Sequence, residues 1–300
     1  MKLAMNNMRL CGFLCMLLSC MLLPGKAAGQ SRVMENLRYK SELMKGEVKY
    51  AVYLPESYGT SDRKYPVLYL LHGYSDDHTA WLRRGQVKQV ADKQMADGTS
   101  EEMIIVMPDG KVTWYIDAFD GSSPYEQMFF EEFIPYIESD YRVIAEKESR
   151  AISGLSMGGY GSLLYALRHP DVFTACCPMS AAVFTDEEIM EMPEGQYDET
   201  FSFLYGKAPK GKDRLTPAWK KNSVLELIRS LPAEDKRKIK IYASCGDDDF
   251  LFKGNAALWM ALREAHIPSE FRIRDGGHSW GYWRETLKEV LPTVSAHFHR

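Results

Sequence analysis

The chain has 300 residues, 45% of them hydrophobic and 26% charged, with a formal net charge of −4. That balance suits a globular protein with apolar content enough for one large domain, or at most two. It carries no basic run that would point to nucleic acid or an anionic membrane, and no internal repeat or low-complexity tract.

In chain order, the N-terminal segment stands apart. Lys2 and Arg9 precede an apolar stretch from Leu10 to Leu23, which Pro24 and Gly25 end, and Ala27, Ala28 and Gly29 follow. This is the pattern of a secretory signal peptide over 1–29, cleaved before Gln30, with an apolar core short for a membrane span. A second reading stays open: "LLSC" ending at Cys20 resembles a bacterial lipoprotein box, which would leave an acylated Cys20 and a membrane-tethered protein. Either way residues 30–300 are expected outside the cytoplasm, secreted, periplasmic or tethered.

The remainder alternates between two element types. "EVKYAVYLP" (47–55) alternates as a strand does, and "YPVLYLLHG" (65–73) and "EMIIVMPDG" (102–110) are continuous apolar runs ending in glycine, as buried parallel strands would. "SPYEQMFFEEFIPYIESDY" has helical spacing, with Ser123 as its cap and Pro124 in its first turn. "SRAISGL" predicts a strand and "SMGGYGSLLYALRHP" a helix that stops before Pro170. "VFTACCPMSAA", "KIKIYASCG" and "SEFRIRDGG" read as further strands, "LFKGNAALWMALREAH" and "WGYWRETLKEVLPTVSAHF" as further helices. Strands alternating with helices predict a mostly parallel sheet covered on both faces, with its ligand crevice at the carboxyl ends of the strands.

Residues 154–158 read G-L-S-M-G between a predicted strand and a predicted helix, and four glycines lie within five residues of Ser156. A serine on so sharp a turn is exposed at the top of the sheet, and bulky neighbours would collide with it. Its hydroxyl needs a base to become a nucleophile. Of the histidines, His169 sits at a helix end, where it would cap carbonyls. His266 lies in a turn, His297 and His299 at the C-terminus, His78 in a polar loop, and His72 at a strand end, where it would shape a loop. His278 follows the last strand after two glycines that let its loop reach back, and is the expected base. The acid that orients it should lie between them, past a strand, and "GDDDF" offers Asp247, Asp248 and Asp249. Spacing alone does not choose among the three. A calcium site there would need several more oxygens, and no companion ligand cluster is present, so no metal is expected.

Cys176, Cys177 and Cys245 remain beyond the leader. They are odd in number and lie in apolar strand-like runs, so they read as buried structural thiols rather than a disulfide framework.

Together "LLHGYSDDHTAW", "VMPDG", "SGLSMGGYGSLLYALRHPDVF", "CGDDDFL" and "GGHSWGYW" resemble the esterase D-like branch of the α/β-hydrolases over roughly 45–295. That branch holds feruloyl and acetyl-xylan esterases of carbohydrate esterase family 1, S-formylglutathione hydrolases and mycolyltransferase-like proteins. The resemblance implies an α/β-hydrolase fold, Asp249 as the acid, and backbone N–H groups of Tyr74 and Met157 as the oxyanion hole. It also implies that no cofactor is needed, and it places Trp114, Tyr115 and Trp280 in loops near the substrate. The stretch 183–235, with Tyr197, Phe201, Phe203, Tyr205 and Trp219, is expected as a variable insertion that either overhangs the site or packs as an ordinary helical connection. The implied function is a secreted serine esterase acting on feruloyl or acetyl esters of plant polysaccharides. An acyltransferase, a formylglutathione-type thioesterase and a non-catalytic carbohydrate-binding relative are the alternatives.

Overall fold

The computed structural model describes residues 29–208 and 210–298. The predicted leader, except Gly29, lies outside the described residues, as do Cys20, the residue acylated in the lipoprotein reading, and His299. No helix among the described residues is long and apolar enough to cross a membrane.

Eight strands form one sheet: β1 (Arg32–Ser41), β2 (Gly46–Leu54), β3 (Val67–Leu71), β4 (Ile104–Pro108), β5 (Arg150–Leu155), β6 (Ala175–Met179), β7 (Lys240–Gly246) and β8 (Ser269–Arg274). Their order is β1-β2-β4-β3-β5-β6-β7-β8. β1 and β2 run antiparallel at one edge, and β4, β3, β5, β6, β7 and β8 are mutually parallel. This is the α/β-hydrolase fold.

The continuous apolar runs have a direct physical cause. In β3, Val67, Tyr69 and Leu71 join the core on one face, while Leu68 and Leu70 join the core on the other. β4 divides likewise, Ile104 and Val106 against Ile105 and Met107. A strand covered on both faces has no solvent side, so its hydrophobicity does not alternate. Cys176 and Cys177 fall on opposite faces of β6, and with Cys245 they are buried free thiols. Burial pushes the Cys176 and Cys245 thiols up to about 12, so neither is a nucleophile at neutral pH.

One strand went unread in the sequence, and one local expectation is corrected. The sequence did not announce β1, an edge strand of mixed exposure interrupted by a register shift between Met34 and Leu37. The helix expected from Ser123 begins at Tyr125, with Pro124 at the cap position and no side-chain bond from either residue. Its first turn is capped from outside: Asp117 Oδ1 accepts the Gln127 N–H at 3.1 Å. The helix widens into a π-turn over Phe129–Phe133 before continuing as Ile134–Asp140. Pro135 lacks the N–H that the carbonyl of Glu131 would accept in a regular helix, and the widened turn accommodates that gap.

Candidate active site

Three segments converge at the carboxyl ends of β5, β7 and β8. The first is the turn from β5 into the helix Met157–Arg168, with Ser156 at φ 55°, ψ −118°. That conformation is strained for a residue with a side chain. It is held on both sides: Ser156 N–H donates to the Met179 carbonyl at 2.9 Å, and its carbonyl accepts from Tyr160 and Ala182 at 3.0 and 2.9 Å. The flanking glycines have a steric cause. A Cβ on Gly158 would lie 2.6 Å from the carbonyl oxygens of both Leu71 and His72, so only glycine lets the helix start against the end of β3. A Cβ on Gly73 would come within 2.7 Å of Leu155 Cδ1, which places the loop after β3 directly against the serine turn.

The second segment follows β7. Asp249 is 3% exposed, and its Oδ1 accepts the Leu251 N–H at 2.9 Å. The third is the loop after β8 carrying His278. Its Nδ1 lies 3.0 Å from both Asp249 oxygens, and its Nε2 lies 2.9 Å from Ser156 Oγ. The structure thus brings Ser156, His278 and Asp249, 122 and 29 positions apart in the chain, into one hydrogen-bonded line. Asp247 and Asp248 are not part of it. They are exposed, and their carboxylates converge with that of Asp275, oxygens within 4.8 Å.

Burial alone would raise the Asp249 pKa, but the bonds from His278, the Leu251 N–H and the Ser180 hydroxyl outweigh it and hold the carboxyl below the usual range. Ser180 went unrecognised in the sequence. It follows β6 at φ 44°, donates its N–H to Ser244 at 2.7 Å, and its Oγ accepts Trp283 Nε1–H at 3.1 Å. With that acceptor site filled, its own proton is free to serve Asp249. Nothing in "PMSAA" signals this, because both partners come from distant segments.

The loop histidines sort themselves. His72 shapes the loop after β3 as expected: its Nδ1 is 2.7 Å from the Gly73 carbonyl, and its Nε2 accepts the Gly110 N–H at 2.8 Å. His78 does lie in a polar loop, with the Asp109 carboxylate 3.8 Å from its Nδ1, but its ring is buried. It is 4% exposed, with no hydrogen bond to either ring nitrogen, and burial lowers its pKa. His169 caps the end of the helix Met157–Arg168 as expected, its N–H donating to the Tyr165 carbonyl at 2.9 Å, while its ring stacks on Phe130 at 3.7 Å and meets Glu126 at 3.1 Å.

Of the aromatic residues expected at the substrate, Tyr115 is placed elsewhere. It is fully buried, its hydroxyl donates to the His72 carbonyl at 3.0 Å, and it accepts the His72 N–H at 2.9 Å. It is a core strut under the loop after β3, with no face to offer a ligand. Tyr115→Phe should therefore cost about 1–3 kcal/mol of stability, by stripping a buried backbone pair of its partner. KM for an ester substrate should change less than twofold; a large rise in KM with unchanged stability would return Tyr115 to the substrate. Trp114 is 4% exposed and packs on Phe201 at 4.9 Å, Tyr160 at 5.6 Å and Tyr74 at 6.0 Å. Tyr197, Phe201, Tyr205 and Trp219 are buried too, so most of the aromatic content of 183–235 is core, while Phe203 stays 39% exposed. The cavity beside Trp114 has a volume of about 10 Å³, too small for an aromatic ring as it stands. Trp280 is partly buried, edge-on to Trp81 at 5.2 Å and to Trp283 at 5.4 Å. Trp283 in turn meets the His278 ring at 4.8 Å.

Comparison with known proteins agrees with this geometry. The family described as "Putative esterase" matches residues 41–294. An acetyl esterase of Caldicellulosiruptor saccharolyticus is 26% identical over 228 residues, spanning 76% of this chain and 82% of that protein. An endo-1,4-beta-xylanase/feruloyl esterase of Xylanibacter ruminicola is 33% identical over 153 residues, 49% of this chain and 21% of that protein. A solved structure of a ferulic acid esterase, 37% identical, superposes with a TM-score of 0.78 and covers 90% of this chain and 100% of its own. With its sheet order, its serine turn and a family match over most of its length, the chain belongs to the esterase family and is a carboxylic-ester hydrolase of the α/β-hydrolase fold.

Proposed function

We propose that the protein is an exported serine esterase that cleaves feruloyl or acetyl esters of plant polysaccharides through a covalent acyl-enzyme. One observation carries the mechanism: His278 bonds Ser156 Oγ through Nε2 at 2.9 Å and the buried Asp249 through Nδ1 at 3.0 Å. Ser156 Oγ attacks the ester carbonyl carbon as His278 Nε2 takes its proton. The carbonyl oxygen becomes an oxyanion, received by the N–H groups of Tyr74 and Met157. Each such donor is worth about 10²–10³ in rate. The tetrahedral intermediate collapses as His278 returns the proton to the leaving alcohol oxygen. Water, deprotonated by His278, then releases the carboxylic acid and regenerates Ser156. Asp249 keeps the Nδ1 proton in place and stabilises the imidazolium.

Export rests on the leader pattern over 1–29, and with an extracellular location the acylated polymers of plant walls are the esters within reach. The ferulic acid esterase and acetyl esterase relatives favour the same two acyl groups. Trp280, partly buried two positions after His278, is the aromatic side chain favoured for the substrate, while Trp114, 4% exposed, reaches the oxyanion loop only through its contact with Tyr74.

The test compares kcat/KM on methyl ferulate, acetylated xylan and p-nitrophenyl palmitate. A plant-type ester should exceed the palmitate by about tenfold or more, because no long apolar helix among the described residues is available to shelter a long acyl tail. A clear preference for palmitate, or no turnover of either plant-type ester, overturns the substrate claim.

A further inference from the structure

We propose that Phe250 is the platform of a subsite for the leaving alcohol and that this subsite takes a neutral sugar ring; the inference rests on the serine-esterase reading above. Phe250 is the most exposed large apolar side chain among the described residues, at 73%. Its ring centroid lies 4.5 Å from that of the His278 imidazole, with the planes inclined at 50°. Positioning the imidazole does not require it. Two bonds to Asp249 and the buried Trp283 ring at 4.8 Å already fix His278.

The placement of Phe250 follows from the turn that supplies the acid. Asp249 N–H donates to the Gly246 carbonyl at 3.3 Å, Phe252 N–H to the Asp249 carbonyl at 2.9 Å, and Leu251 N–H to Asp249 Oδ1 at 2.9 Å. Asp249 and Leu251, each 3% exposed, turn inward, and the residue between them turns out to solvent. The ring touches the imidazole and turns most of its surface to solvent. With only two side-chain torsions, an aromatic residue loses little freedom when a ligand covers it.

Chemistry decides which part of the ester lies there. His278 Nε2 must reach the leaving oxygen within about 3 Å to return its proton. The atoms attached to that oxygen then crowd the imidazole, on the alcohol side of the scissile bond and not the acyl side. Phe250 is the exposed ring in contact with that imidazole. Pyranose and furanose rings present C–H faces that stack on aromatic faces, so a sugar suits the platform. The charge nearby narrows the class further. Asp247 and Asp248 precede the ring in the same loop, and Asp275 converges on them with carboxylate oxygens within 4.8 Å. That acidic rim repels an anionic alcohol or thiol such as glutathione and tolerates a neutral sugar.

The experiment uses two esters that share an acyl group: methyl ferulate and 5-O-feruloyl-arabinofuranose. In Phe250→Ala the ratio of kcat/KM, sugar ester over methyl ester, should fall about 3- to 10-fold, with the loss in KM for the sugar ester. Phe250→Trp should keep the ratio at or above that of the unaltered protein. A ratio within twofold of the unaltered protein in Phe250→Ala overturns the inference, and so does an equal loss of kcat on both esters, which would make the ring a support for His278. Ser156→Ala, measured alongside, separates the two failures. Retained turnover there overturns the serine mechanism and this subsite with it. An inactive Ser156→Ala with an unchanged Phe250→Ala ratio overturns the subsite alone.

Discussion

Ser156→Ala should lower ester hydrolysis by roughly 10³–10⁶-fold while the protein stays folded, because nucleophile, base and acid act as one unit. The size of the effect follows from what the side chain does. His278 Nε2 has Ser156 Oγ as its partner at 2.9 Å, and no other hydroxyl is bonded to it among the described residues. With the oxygen gone, water must attack without a covalent intermediate, helped only by the oxyanion donors and by substrate positioning. The fold should persist because the turn is held by backbone bonds from Ser156 to Met179, Tyr160 and Ala182, none of which uses the hydroxyl. Circular dichroism and a thermal melt check the second half of the statement, and kcat/KM on methyl ferulate the first. Mass spectrometry of the unaltered protein quenched during turnover should find the acyl group on the peptide containing Ser156. Near-normal turnover by a folded Ser156→Ala protein, or an acyl group on another residue, would sink the mechanism.

The local signals were legible where one segment carries its own explanation. "YPVLYLLHG" and "EMIIVMPDG" are apolar throughout because both faces of β3 and β4 are covered, and that can be read without knowing the neighbours. The glycines around Ser156 are legible for a similar reason: the chain itself shows that something must come close, and the structure supplies the carbonyls of Leu71 and His72. His278 could be picked out by its place after the last strand. Asp249 could not be separated from Asp247 and Asp248 by spacing, since all three sit in one turn and only tertiary contact decides which is drawn inward.

Sequence failed where the decisive partner is remote. β1 is an edge strand of mixed exposure, so its pairing with β2 leaves only a faint trace in hydrophobicity. Trp114 and Tyr115 both adopt positive φ, 56° and 61°, a conformation that gave no sign in "KVTWYID". It turns both side chains into the core, Tyr115 to His72 and Trp114 to the rings of 183–235. Aromatic residues in a loop near a site look like ligand contacts until burial is known. Ser180 and Phe250 show the converse: one is a single serine and the other a single phenylalanine, and each matters only through what the fold sets beside it.

Asp249→Asn should reduce kcat by a factor on the order of 10⁴ while leaving KM nearly unchanged. The carboxylate accepts the Nδ1 proton of His278 at 3.0 Å, which leaves Nε2 bare and facing Ser156. An amide in the same place can present its NH₂ group to Nδ1, and the imidazole then carries its proton on Nε2, where it cannot take the serine's. The contribution of the carboxylate to stability has a defined sign. Its pKa is held below the ordinary carboxylate value despite burial, so the stabilisation is present above about pH 4 and is lost as pH falls through the folded-state value. Asp249 thus stays ionised across the neutral range, and an acid limb in the rate profile near neutrality would not belong to it. Asp247→Asn and Asp248→Asn should each change kcat less than about threefold, because both side chains are exposed and it is Asp249 that bonds His278 Nδ1. Asp247 Oδ1 does accept the Gly276 N–H at 3.0 Å in the loop that leads to His278, but an asparagine oxygen can accept the same bond. The three variants, assayed on methyl ferulate from pH 5 to 9, give an unambiguous ranking. If Asp248→Asn is the damaging change and Asp249→Asn the mild one, the acid is one position away and the line from Ser156 through His278 ends on a different carboxylate.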